Sequence, residues 1–316
     1  NMIDDKATPN IVKHDFLTFK GFKGIDKFDV IMGNPPWNDN KVGKQDGSRA
    51  KNSLWDKFIF KSFNILNDNG YFTFINPAQW RGLGPEYHKI WDLISPLNII
   101  YLHIYGENDG KKMFNVGSRF DSYVLQNKKS DKSTYIIDEL GIKNNIKINN
   151  LPFLPNYAYK NFIDIITTED KGINVIMSYS AYFAYNKKGQ VISKKTKEHK
   201  YPIMHSITEK GIEFWYSNYN NKGHFGIPKV ILSFGRHQYS HPEQNDYEGK
   251  YGMSQITFGI PIKSKKEGDD ILKAINTDEF KEIIKATKWG AFQTDWRMFK
   301  YFKPDFYKQF LSKKQT

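Results

Sequence analysis

The segment "KFDVIMGNPPWN", residues 27–38, constrains the fold most, because an apolar run ends there in a stiff loop. The apolar part, residues 28–32, predicts a short buried strand. After Gly33 the chain continues with Asn34, Pro35, Pro36 and Trp37. Each proline fixes its φ angle and removes a backbone donor. A loop stiffened in this way suits the task of holding neighbouring side chains still.

The residues of this loop have a shared chemistry. The side-chain oxygen of Asn34 and the main-chain carbonyl of Pro35 are two adjacent hydrogen-bond acceptors. Together they can bind both hydrogens of an exocyclic amine and orient the nitrogen lone pair toward an electrophile. Trp37 offers a flat face for stacking on a heterocycle. The motif therefore predicts a pocket for a ring that carries an amino group.

The first half of the chain alternates strand and helix patterns. Helices are predicted over 52–67 and 85–94, and further strands over 71–76, 98–105 and 118–128. Such alternation predicts an α/β domain with a parallel, doubly wound sheet. Because ligands bind beyond the carboxyl ends of such strands, Asn76 and Pro77 are candidates for framing the same pocket. A plain turn at these two residues is an equal alternative.

The pattern changes near residue 150, which predicts one domain over 1–150 and another over 151–316. The second half contains short strands such as 229–234 and 254–262 and ends in helices, as expected for an α+β domain. Of the net charge of +13, the second half carries +9, which favours a polyanionic partner such as nucleic acid. Cysteine is absent and no 18-residue apolar run occurs, so neither disulfides nor a membrane span is expected. The protein is expected to be cytoplasmic.

The stretch "FDVIMGNPPW" resembles the catalytic motif of gamma-class N6-adenine-specific DNA methyltransferases of type II restriction–modification systems. Upstream, "VKHDFLTF" is similar to the motif with which these enzymes bind S-adenosyl-L-methionine, which assigns Asp15 and Phe16 to the cofactor together with Asn34. Downstream, "MFNVGSRFDSYVLQNKK" resembles a strand motif whose aromatic residue holds the flipped base. Phe120 and Tyr123 are both candidates for that residue.

The resemblance implies a Rossmann-like methyltransferase sheet, in partial form, followed by a target-recognition domain that binds double-stranded DNA. The target adenine would be extruded from the duplex. Asn34 and the Pro35 carbonyl would accept its N6 hydrogens, Trp37 would stack on it, and N6 would attack the methyl group directly. The family's glycine-rich F-x-G-x-G motif is missing from residues 1–14 and from the sequence after residue 150. An N-terminal segment or a second chain is therefore expected to complete the cofactor site.

Basic and amide side chains of the second half are candidates for DNA contact, with a solvated surface as the alternative reading. They are Lys194, Lys195, Arg236, His237, Gln238 and Lys250.

Three other groups of residues are interpreted as structural rather than functional. Asp246, Glu248 and Lys250 are similar to a nuclease pattern, but the two acids lie too close in sequence, so a loop or strand edge is expected. His237 and His241 lack the helical context of a metal pair, and no metal is expected. The aromatic segment 289–302 is expected to pack in a core rather than stack on bases.

Two further functions remain open from the sequence. One is methylation of a protein glutamine amide or of an RNA base, since those enzymes share the Asn-Pro-Pro-aromatic motif. The other is a non-catalytic DNA-specificity subunit or fragment, which the missing glycine-rich motif favours and the intact Asn34–Trp37 motif opposes.

Overall fold

The computed structural model describes residues 11–21, 24–38, 53–178, 182, 191–235, 238–290 and 293–311. The chain divides into two compact units. The first unit comprises residues 1–77, 89–137 and 141–150, and the second comprises residues 78–88, 138–140 and 151–316. Two short segments of the first 150 residues thus belong to the second unit.

A six-stranded mixed sheet with the order β1-β2-β4-β3-β5-β6 forms the first unit. Its strands are β1 (Phe28–Gly33), β2 (Leu66–Pro77), β3 (Leu97–Tyr105), β4 (Phe120–Lys129), β5 (Thr134–Ile137) and β6 (Lys143–Ile146). The α/β class is confirmed, but the prediction of a purely parallel sheet is wrong. β4 begins beside the end of β3, where Tyr105 pairs with Phe120, and so runs antiparallel to both β3 and β2.

The helices of the first half are α1 (Trp55–Ile65), α2 (His88–Ile94) and α3 (Glu107–Phe114). α1 buries Trp55, Ile59, Ser62 and Ile65, which recur at the spacing of one helical face. The predicted helix over 52–67 is too long, because Leu66 already pairs with Phe28 in the sheet. Asn69 adopts a left-handed φ of 62° inside β2, next to Gly70.

Strand β1 lies at the edge of the sheet and is mostly exposed. Ile31 is its single buried residue, whereas Val30 and Met32 are 57% and 75% exposed. The prediction of a buried strand is therefore wrong. β1 is parallel to β2 and has no other strand partner among the described residues.

Within the described residues, the second unit contains two small sheets and four α-helices. The four-stranded sheet, of order β12-β8-β9-β7, is built from β7 (Val191–Ile192), β8 (Tyr201–Thr208), β9 (Gly211–Ser217) and β12 (Gly252–Met253). The three-stranded sheet, of order β11-β10-β13, is built from β10 (Lys229–Ser233), β11 (Asn245–Asp246) and β13 (Thr257–Pro261). The helices are α4 (Tyr159–Ile165), α5 (Lys265–Ile275), α6 (Asp278–Ala286) and α7 (Lys308–Leu311).

The core of the second unit takes in the aromatic C-terminal segment. Trp289, Phe299 and Phe302 are buried in one hydrophobic cluster together with residues of α5 and α6. The predicted core role of the segment 289–302 is confirmed for these three residues. Within the described ranges, no helix combines the length and apolar character needed to cross a bilayer.

Candidate functional site

The loop that follows β1 leaves two hydrogen-bond acceptors available. Asn34 is exposed and Pro35 is buried behind it. Neither the Asn34 amide nor the Pro35 carbonyl has a hydrogen-bond partner among the described residues. The preceding residue, Gly33, pairs with Phe74 of β2, where a Cβ would lie 3.3 Å from the Phe74 ring. The acceptors therefore follow directly from a hydrogen-bonded strand end.

Trp37 is held in this loop by its backbone and by other aromatic rings. Its carbonyl accepts a hydrogen bond from the Leu54 N–H, at 3.1 Å. Its ring lies 5.1 Å from that of Phe114 and 6.0 Å from that of Phe120, between centroids. Tyr105 stacks on Phe120 at 4.4 Å. We call Trp37, Tyr105, Phe114 and Phe120 the aromatic cluster.

The structure separates the two candidates for the residue that holds a flipped base. Phe120 belongs to the aromatic cluster, although it is fully buried beneath its neighbours. Tyr123 lies elsewhere, in the core, where its hydroxyl donates to Asn76 Oδ1 at 2.9 Å. Burial raises the pKa of Tyr123 well above its usual value, so this hydroxyl remains a donor. The candidate role of Tyr123 in base stacking is therefore wrong.

Asn76 does not frame the pocket that the sequence suggested. It is fully buried, its Nδ2 donates to the Pro77 carbonyl at 3.0 Å, and its Oδ1 accepts from Tyr123. All these bonds stabilise the end of β2. Asn76 and Pro77 thus have a structural role, although they are the last residues of β2 and not the plain turn that was the alternative expectation.

Phe114 is a cluster member that the sequence reasoning did not single out. It ends α3, is half-buried, and contacts Phe120 edge-on at 5.0 Å. It stands in the stretch "MFNVGSRFDSYVLQNKK" that resembles the family's strand motif, but nothing in that stretch marks it as a neighbour of Trp37. Because Phe120 offers no free face, the exposed parts of Trp37 and Phe114 are the aromatic surface at this strand end.

The segment assigned to the cofactor is packed against α1. The Phe16 ring stacks on that of Phe58 at 5.2 Å, with an interplanar angle of 12°. Asp15 is exposed, and its Oδ1 accepts a hydrogen bond from the Leu17 N–H at 3.0 Å. A carboxylate used once in this way can still accept hydrogen bonds from a ligand.

The residues of the second unit that were predicted to contact DNA differ in their exposure. Lys194, Lys195 and Lys250 are exposed, whereas Arg236 and His237 lie outside the described residues. Gln238 is 4% exposed, and its Nε2 donates to the Ser233 carbonyl at 2.8 Å and to Thr294 Oγ1 at 3.2 Å. The prediction that Gln238 contacts DNA is therefore wrong, since its side chain is buried inside the unit and its Nε2 donates to groups there.

The group Asp246, Glu248 and Lys250, which is similar to a nuclease pattern, has a structural explanation. Asp246 Oδ2 accepts from Lys229 Nζ at 2.8 Å and from the Tyr251 N–H at 2.9 Å, while its Oδ1 accepts from the Lys250 N–H. Asp246 thus lies on an edge strand, as expected, and Glu248 is exposed. In the part of the chain that the structure describes, no three acidic or histidine side chains are grouped to hold a metal.

Comparison with known families places the Asn34–Trp37 loop inside a recognised segment. Residues 2–114 match the sequence model of the family described as Eco57I restriction-modification methylase. This segment contains Asp15, the Asn34 loop and Phe114, but not Phe120.

Two relatives have methylase names. The modification methylase CviBIII of Paramecium bursaria Chlorella virus NC1A is 32% identical over 127 residues, which are 37% of this chain and 30% of the relative. An adenine-specific methylase of Mycoplasma pneumoniae is 37% identical over 62 residues, covering 20% of this chain and 14% of the relative. The chain thus spans less than a third of the length of these relatives.

Among solved structures, the Type IIL restriction-modification enzyme MmeI in complex with DNA is similar over 86% of this chain and 46% of that one. The TM-score is 0.45 and the sequence identity is 12%.

Proposed function

We propose that this chain is the catalytic and DNA-recognition part of an N6-adenine-specific DNA methyltransferase of the gamma class. It would use S-adenosyl-L-methionine and serve a restriction–modification system or a viral or host DNA modification system. One observation carries the proposal: Asn34 and Pro35 provide two acceptors that have no partner among the described residues, beside a partly exposed Trp37 at a strand end. The match of residues 2–114 to restriction–modification methylases supports it.

The proposed work of the loop is to position an extruded adenine. The base has to leave the duplex, because a stacked base cannot reach the loop. The Asn34 amide oxygen and the Pro35 carbonyl accept the two N6 hydrogens. This orientation makes the N6 lone pair available for bond formation. Trp37 contacts the ring face, so catalysis depends on positioning and electrostatics.

The cofactor contacts that this chain can supply are few. When bound, S-adenosyl-L-methionine supplies an electrophilic methyl group. Asp15 has acceptor capacity left, Phe16 offers an aromatic ring, and the Asn34 amide is available, so these residues fit an adenosine-containing ligand in part. The proposal therefore includes a further segment or chain that carries the glycine-rich motif which this sequence lacks.

The proposed DNA surface is basic. Lys194, Lys195 and Lys250 are exposed and would contact phosphates, and Arg236 and His237 remain candidates. These contacts would fix the position of the duplex while base contacts determine the sequence that is methylated.

The test compares Asn34→Ala with Asn38→Ala, which replaces another exposed asparagine four residues further on. Each variant, and the wild type, is expressed from the full-length gene in a host, and the host DNA is sequenced with modified-base detection. We expect N6-methyladenine at one sequence in the wild type and in Asn38→Ala, and none in Asn34→Ala. Normal adenine methylation by Asn34→Ala would refute the proposal. Modification of cytosine alone by the wild type would refute it equally.

A further inference from the structure

A second polar loop, residues 218–226 of the second unit, has the composition of a base-reading element. We call it the asparagine loop; its sequence is "NYNNKGHFG". Asn218, Asn220, Asn221 and Lys222 are exposed, and the three amides have no hydrogen-bond partner among the described residues. An asparagine amide can pair bidentately with the major-groove edge of adenine. The loop thus presents base-reading groups that its own fold does not use.

The asparagine loop is anchored from within by Tyr182. The buried hydroxyl of Tyr182 lies 3.0 Å from the Tyr219 carbonyl and 3.1 Å from the Lys222 carbonyl. Burial raises the pKa of Tyr182, so the hydroxyl stays protonated and able to donate. A Cβ at Gly223 would lie 2.3 Å from the Tyr182 ring, so this close approach requires glycine.

The backbone beyond Lys222 is held in an unusual conformation. His224 has a left-handed φ of 61°, which a non-glycine residue adopts at a cost. Its Nε2 lies 2.9 Å from Ser178 Oγ. The Gly223 carbonyl accepts from the Met253 N–H at 3.0 Å, and the Gly226 N–H donates to the Gly249 carbonyl at 2.7 Å. A loop fixed at this many points loses little conformational entropy when it binds a partner.

The surroundings of the asparagine loop favour a polyanion. Tyr201 pairs with Ser217, so Lys200 lies beside the start of the loop, and Lys250 follows Gly249. With Lys222, three exposed lysines border the loop, while the exposed carboxylates of Glu198 and Glu248 lie two residues before Lys200 and Lys250. The loop also borders a polar cleft of about 540 Å³, lined among others by Ser178, Asn220, Asn221 and His224. The lysines would contact phosphates, and the amides would contact base edges.

We infer that the asparagine loop is a specificity-determining element which reads base edges of the duplex through Asn220 and Asn221, while Lys222 contacts a phosphate. The inference rests on the proposed DNA methyltransferase function and deepens it, because it assigns sequence recognition to particular side chains. Tyr182 is a positioning residue in this arrangement, since it acts through the loop backbone.

The test is a selection from a library of randomised DNA duplexes, read by sequencing, with the protein expressed from its full-length gene. The variant Asn220→Ala/Asn221→Ala is compared with the wild type and with Asn144→Ala/Asn145→Ala, an asparagine pair on β6 of the first unit. We expect the wild type and the control to enrich the same sequence. The loop variant should lose preference at one or two base pairs, by about 5- to 150-fold at each, and keep its affinity for unrelated duplexes.

Two further variants test the assigned roles. Lys222→Gln should weaken binding to all sequences alike and lower the dependence of log K on log salt by about one. Tyr182→Phe should keep the selected sequence but bind it more weakly, because the hydroxyl that fixes the loop is gone.

The inference is overturned if the loop variant enriches the wild-type sequence with unchanged affinity, or if the wild type enriches no sequence. Either failure leaves the catalytic proposal standing, provided that Asn34→Ala still abolishes adenine methylation. Conversely, methylation by Asn34→Ala would refute the catalytic proposal without altering the sequence that is selected.

Discussion

The ring of Trp37 packs against the ring of Phe114, with centroids 5.1 Å apart and planes inclined by 59°. Phe114 ends α3 and contacts Phe120 as well. The loop that carries Asn34 is therefore positioned by a ring on a helix as well as by the strand that precedes it. An aromatic pair of this kind contributes about 0.5–1.5 kcal/mol beyond the area it buries.

Phe114→Ala should lower single-turnover methyl transfer by about tenfold or more, because it frees the Trp37 ring and small misplacements at a reacting centre are costly. Met113→Ala is the matched control, since Met113 is 56% exposed and precedes Phe114 directly. The control should stay within about twofold of the wild type. Equal rates for both variants would show that Phe114 does not position the loop.

Trp37→Ala should weaken binding of DNA with an unpaired or mismatched target base by about 1–3 kcal/mol, the usual value of one base–aromatic stack. Trp37→Phe should retain most of that affinity because it keeps a ring. Fluorescence of 2-aminopurine at the target position reports the extrusion of the base. If Trp37→Ala bound the 2-aminopurine DNA as tightly as the wild type and quenched its fluorescence to the same extent, stacking on Trp37 would be ruled out.

Asp246→Ala should destabilise the protein by about 3–5 kcal/mol, because it leaves the Lys229 ammonium buried and unpaired. The two side chains are 2% and 0% exposed, with Nζ and Oδ2 2.8 Å apart. Glu248→Ala, at an exposed neighbour, should change stability by no more than about 0.5 kcal/mol. Urea unfolding measures both. If Asp246→Ala kept full stability, a structural role for this carboxylate would be excluded.

His205 should make the protein less stable in mild acid. Burial lowers the pKa of His205 below its ordinary 6.5, and the weaker influence of Glu213 opposes that shift. The unfolded chain therefore binds a proton near pH 6.5 while the folded chain does so only at lower pH. Stability is thus lost as the pH falls below about 6.5, with a slope of up to about 1.4 kcal/mol per pH unit.

Replacing His205 tests this directly. His205→Gln should show a shallower decline of the unfolding free energy between pH 7 and 5, as measured by urea titration. Some decline will remain, because burial also lowers the pKa of His103. His241→Gln is the control for replacement of a histidine in the same unit. If the unfolding free energies of wild type and His205→Gln declined in parallel with falling pH, the role of His205 in acid destabilisation would be refuted.

Local patterns were enough to predict the presence of β1 to β4, α1, α2 and the loop with its acceptors. The apolar run before Gly33, the two prolines and the helical spacing of Trp55, Ile59 and Ile65 act within a few residues of one another. The end of α1 was misjudged because pairing of Leu66 with Phe28 is a long-range interaction. Helix propensity depends on neighbouring residues, so it cannot predict this pairing.

The roles of Tyr123 and Asn76 depended on sheet register. They lie 47 residues apart in sequence and meet only because β2 and β4 pair with Phe74 opposite Tyr123. A shift of one residue would turn Tyr123 to the other face of the sheet. Sequence alone therefore left Phe120 and Tyr123 equivalent. It also gave no reason to select Phe114 over other aromatic residues, because the contact with Trp37 joins the end of α3 to a loop that is distant in sequence.

The edge position of β1 has a consequence for local stability. The strand that ends at Gly33, just before Asn34, is paired on one side only, with β2, within the described residues, and Val30 and Met32 expose apolar surface. Backbone segments with few buried contacts open at low free energy, so the β1 amides should exchange with solvent sooner than those of β2. A polypeptide strand that paired with the outer edge of β1 would suppress that opening. Such pairing would raise the free energy of opening of β1, and it would also raise the fraction of molecules in which the Asn34 loop is held in place.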